Sequence, residues 1–165
     1  MLQERLAILK EQLLRDVPHL NPKFVRYVAG GTQLFEQNMA ESAESYFSSA
    51  VEADPQNPLA RELWGYSHLA QKGDSKKEQA IEILGVVTYL APNMESYRSL
   101  AFALATYGKY HPYQALLRNA LQHKPDDDLL IRIGRISVTQ GMTDLTKKVQ
   151  KAMQEKELYV KLYPL

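Results

Sequence analysis

Two antiparallel helices lie flush only where bulky side chains on one meet gaps on the other, and residues 24–57 are patterned for that fit. Tyr27 and Leu34 are the large positions of a first helix, and Gly30 and Gly31 leave a notch between them. Ala43, Phe47 and Ala50 form a small–large–small stripe at i, i+4 and i+7 on a second helix. A tight break is expected at residues 37–39, and Pro55 closes the second helix. The stripe and its closing proline recur as Ala80, Leu84, Val87 and Pro92, then as Tyr113, Leu117, Ala120 and Pro125. In the leading helices Gly31 is answered by Gly65 and then by Ala101. A helix pair repeated at roughly 34 residues cannot bury its faces alone and must stack on its copies.

Outside the repeats, residues 1–16 carry Leu2, Leu6, Leu9 and Leu13 at helical spacing, with Ile8 and Leu14 widening the stripe. The helix stops ahead of Pro18, because the residue before a proline is pushed out of helical geometry. Such a stripe either caps the first repeat or pairs with a second copy as a dimerisation helix; its pattern fits both. Asn21-Pro22 supplies a cap and a first-turn proline, so the first repeat helix starts at Pro22, and Pro58 starts the next leading helix, which runs to about Gln71. The polar turn 72–77 is expected to join it to a helix over 78–90. A third pair is expected over 94–107 and 112–123, turning at Gly108. Asp126, Asp127 and Asp128 read as an N-cap and an acidic first turn rather than metal ligands, since three consecutive residues do not converge on one ion without a looped backbone. A helix over 129–140 keeps Ile133 and Gly134 in the large–small place, and Gly141 ends it. A last helix over 143–159 has Leu145, Val149 and Met153 on one face, but not the small–large–small spacing.

The period, the closing prolines and the GKY turn at 108–110 resemble the tetratricopeptide repeat over residues 24–125. Tyr27, Trp64 and Leu100 stand at or near that family's large positions, and Ala43 and Ala80 at its small ones. The departures are an insertion around 72–77 and Tyr113 where the family usually has alanine. The resemblance implies an all-α fold, a right-handed α-solenoid of about three helix pairs with N- and C-terminal capping helices. Its parts would be an N-terminal helix at 1–16, repeats at 22–57, 58–93 and 94–126, and a degenerate fourth repeat with a capping helix at 127–165. The leading helices would line a concave groove, whose positions by resemblance are Val25, Val28, Thr32 and Phe35; Leu59, Glu62, Tyr66 and Leu69; and Arg98 and Phe102. An apolar row of this kind is a docking surface if it is open, which requires Phe35, Tyr66, Leu69 and Phe102 to be exposed. Burial under the N-terminal helix would close it. The lysine and asparagine with which cochaperone modules clamp a terminal carboxylate are replaced by Val28 and Thr32, so that function is not expected.

An N-terminal helix, three repeats and a trailing helix in 165 residues is a layout similar to the translocator chaperones of bacterial type III secretion. That resemblance implies a cytoplasmic, often dimeric protein holding an apolar segment of a secreted partner. The alternative is a structural adaptor in a larger assembly. Other classes find little support. Lys and Arg number 20 against 19 Asp and Glu, which gives no electrostatic case for nucleic acid or an anionic membrane, and no apolar run approaches a membrane span. The first residues lack the continuous apolar core of a signal peptide, so an intracellular protein is expected. There is no Cys, and His19, His68, His111 and His123 stand in no paired arrangement. Ser42, Ser45, Ser48 and Ser49 crowd one helix without a neighbouring base. No catalytic residue, metal or cofactor is expected; the expected partner is a protein or peptide, with a homodimer as the further expectation.

Overall fold

The computed structural model describes residues 2–16, 21–107, 114–122 and 124–162, and among these it is helical, with no strand. The helices are α1 (Leu2–Asp16), α2 (Pro22–Glu36), α3 (Ala40–Ala53), α4 (Pro58–Leu69), α5 (Asp74–Leu90), α6 (Met94–Tyr107), α7 (Gln114–Gln122), α8 (Asp127–Thr139) and α9 (Thr143–Glu155). They fall into two compact units, Met1–Ala91 and Pro92–Leu165. The break before Pro18, the turn at 108–110, Tyr113, and His19, His111 and His123 lie outside the described residues.

Local chemistry sets the starts of α2 and α4. Asn21 Oδ1 accepts from the Lys23 amide at 2.8 Å and Asn57 Oδ1 from the Leu59 amide at 3.0 Å, each ahead of a first-turn proline. In the first unit α2 packs on α3, α3 on α4 and α4 on α5, while α1 lies on α4. Glycines set how closely the pairs approach. A Cβ on Gly31 would stand 2.6 Å from Cε1 of Phe47, and one on Gly65 would stand 2.8 Å from Cδ2 of Leu84. Phe47 and Leu84 are fully buried, so each fills the notch left by the facing helix. The short break between α2 and α3 is a left-handed stop, with Asn38 at φ 61° and the Met39 amide donating to the Leu34 carbonyl at 2.9 Å.

In the second unit α8 packs on α6 and α9. Asp126 caps α8, its Oδ1 accepting from the Leu129 amide at 2.9 Å. Gly134 repeats the notch: a Cβ there would stand 2.8 Å from Cδ2 of Leu162 and 2.9 Å from Cγ1 of Val149.

Helices α4 and α8 shift by one or two residues from the sequence expectation, and two boundaries differ by more. The polar turn expected over 72–77 is mostly the first turn of α5, which begins at Asp74. Gly73 reverses the chain at φ 100°, Asp74 places an acid at the helix start, and Lys77 Nζ reaches back to donate to the carbonyls of Gln71, at 2.7 Å, and Leu69. The last helix, expected to reach residue 159, ends at Glu155. Glu157 turns left-handed at φ 54° and the Leu158 amide donates to the Met153 carbonyl at 2.8 Å, which stops the helix and sends residues 158–162 back until Leu162 is buried.

Candidate interaction surface

On α4, Glu62 and Tyr66 stand four residues apart on one face, and the Tyr66 hydroxyl donates to Glu62 Oε2 at 2.9 Å. Arg5 of α1 closes on the same carboxylate with both prongs of its guanidinium: Nε to Oε2 at 2.6 Å and Nη2 to Oε1 at 2.8 Å. The Glu62 side chain is 4% exposed and that of Arg5 13%. A carboxylate this deep is tolerated only when paired, and the bidentate fork is the strongest form of that pairing. Beside Arg5, Leu6 and Leu9 are buried.

This arrangement corrects the expected groove. Val28, Thr32, Glu62, Tyr66 and Leu69 are buried, Tyr66 to 2% and Leu69 to 3% exposure, and Val25, Phe35 and Leu59 are half-buried. Phe35 turns toward Phe47, with ring centroids 6.5 Å apart. The α4 positions are therefore not an open apolar row; Glu62 and Tyr66 hold α1 in place. The dimerisation stripe changes in the same way: Leu6 and Leu9 are used inside the chain, and the side chains of Leu2 and Leu13 lie outside the described residues.

In the second unit, Arg98 is not an open groove cation. Its Nη2 pairs with Asp126, its Nη1 lies 2.5 Å from Glu95 Oε1 and its Nε lies 3.4 Å from Asp128 Oδ2. It ties α6 to the start of α8. Burial disfavours its charge, but the Asp126 hydrogen bond and the three carboxylates outweigh that and raise its pKa. Asp126 shifts the other way. Burial pushes its carboxyl up, yet the Leu129 amide, the Arg98 hydrogen bond and the charges of Arg98 and Lys156 hold it below the ordinary value. Phe102 is half-buried on α6.

A polar cluster that the sequence did not signal joins α3, α4 and α5. Glu44 accepts from Gln71 Nε2 at 2.6 Å and Lys76 Nζ at 2.9 Å, and its Oε1 lies 3.2 Å from His68 Nε2. The other ring nitrogen of His68, which is buried, faces the Trp64 carbonyl at 3.1 Å. Burial pushes the Glu44 carboxyl up, but the Gln71 and Lys76 hydrogen bonds and the charges of His68 and Lys76 win and hold it below the usual carboxylate range.

Against α9, residues 158–162 enclose an open cavity of about 490 Å³ with Gln150, Met153 and Gln154, in which Tyr159 and Lys161 are the titratable groups. No acid–base pair converges there. Among the described residues no group of three or more His, Asp or Glu is placed to hold a metal ion, and no helix is long and apolar enough to cross a membrane. No protein-family model and no curated protein matches the chain.

Proposed function

We propose that the chain is a protein–protein interaction module of tetratricopeptide type, which takes a partner segment on the leading-helix side of its helix pairs. One observation carries the reading. The face of α4 where that family would bind peptides already holds a protein segment, α1, through the Arg5–Glu62 pair, with Leu6 and Leu9 of α1 buried beside it. The interlocking of Gly31 with Phe47 and of Gly65 with Leu84 supports the repeat assignment. The finer reading is a cytoplasmic chaperone for an apolar segment of a secreted protein, and it rests on the layout resembling type III translocator chaperones. A second reading, a scaffold subunit, is favoured by apolar side chains on the second helices of the pairs: Tyr89 is 90% exposed on α5 beside Val86, and Tyr46 is exposed on α3.

Affinity capture of the tagged full-length protein from its native cells tests the readings against each other. A chaperone yields one near-stoichiometric apolar partner that is lost in Val25→Glu or Leu59→Glu chains of unchanged helicity. A scaffold yields a mutually associated set that survives those changes and is lost in Tyr89→Glu. Capture of neither kind contradicts the proposal.

A further inference from the structure

We propose that α1 is a displaceable resident of the α4 face, and that the partner is an amphipathic helix of the same chemistry, an arginine followed by leucines one and four positions on, which binds by replacing α1. The inference rests on the interaction-module reading and names the partner's chemistry. Charge complementarity fixes the arginine. Any occupant that displaces α1 uncovers Glu62, whose carboxylate at that depth needs a cation with fork geometry. Arg5, Leu6 and Leu9 supply the register.

Displacement follows from how little holds α1. Among the helices α1 packs mainly on α4 alone, whereas α4 packs on both α3 and α5 and is interlocked with α5 at Gly65. Elements with few buried apolar contacts open at a fraction of the global unfolding free energy. A helix of 15 residues is also marginal once it leaves its packing surface, so α1 competes for the face rather than being locked to it. An external helix then binds with an apparent affinity reduced by the fraction of time α1 occupies the site.

A labelled peptide of residues 1–16, titrated onto the full-length chain, tests this. The Arg5→Glu chain sets two carboxylates against each other and weakens α1 in place, so the peptide is expected to bind it at least about tenfold tighter than the wild-type chain. A peptide that itself carries Arg5→Glu is expected to bind neither. Equal binding to both chains, or no binding to an Arg5→Glu chain that keeps its helicity, overturns the proposal. Hydrogen exchange on the wild-type chain gives an independent reading: α1 amides are expected to exchange well before those of α4, and exchange only in step with α4 overturns displaceability. If Arg5→Glu and Glu62→Arg chains form a mixed dimer when combined, the occupant is a second copy and the partner assignment falls. A captured cellular partner that is held equally by wild-type and Arg5→Glu chains overturns this inference and leaves the general reading standing.

Discussion

Gly30 and Gly31 are adjacent in α2, yet they meet different neighbours. Gly31 faces Phe47, which is fully buried and has nowhere to go, while Gly30 faces Tyr46, which is 43% exposed and free to swing outward. Replacing either glycine with alanine gains helix propensity of about 1 kcal/mol. At Gly31 the overpacking wins, and Gly31→Ala is expected to destabilise by about 1–3 kcal/mol net. Gly30→Ala is expected to fall within about 0.5 kcal/mol of the parent, because a surface ring moves cheaply. Denaturant midpoints separate the two, and Phe47→Leu should recover part of the Gly31→Ala loss but none of any Gly30→Ala loss. This notch was legible in the sequence because it repeats at Gly65 with Leu84. The caps at Asn21 and Asp126 were legible because a cap is a local signal, whereas Asn57 was passed over in favour of Pro58 beside it.

At the scale of elements, sequence fails where a boundary depends on one unusual backbone angle or on a distant side chain. The turn ahead of α5 read as six polar residues, yet Gly73 alone makes the reversal at φ 100° and ψ 147°. No atom lies within 4 Å of where its Cβ would be, so Gly73→Ala meets no clash and still adopts a conformation essentially restricted to glycine. A loss of about 1–3 kcal/mol is expected, with the m-value unchanged; an unaltered denaturation midpoint would show that the turn relaxes to another geometry. Whether the α4 positions lie open was left undecided by the sequence: repeat register placed them and the N-terminal helix was the alternative cover, but Arg5 and Glu62 are 57 positions apart and no spacing rule links them. The available signal was Glu62 itself, a single acid on an otherwise apolar face that called for a counter-charge.

For the whole molecule, two of the described carboxylates are held below their ordinary pKa: Glu44 in the first compact unit and Asp126 in the second. In both, the unfolded chain takes up a proton at higher pH than the folded chain, so their stabilisation is complete above about pH 5 and is lost as pH falls through the lowered values. Denaturation midpoints are expected to drop as pH falls below about 4, and Glu44→Gln and Asp126→Asn should each give a shallower drop. An acid profile identical to wild type in both variants would contradict these pKa directions. The functional reading stands on a different feature, the occupation of α4 by α1 through the Arg5–Glu62 fork, and a charge swap tests that most directly. Arg5→Glu and Glu62→Arg are each expected to lower the unfolding free energy, since each leaves like charges facing one another at a buried site. The double variant restores opposite charges and should recover a coupling energy of about 1–3 kcal/mol. Strictly additive losses would mean that α1 does not sit on α4 through this pair.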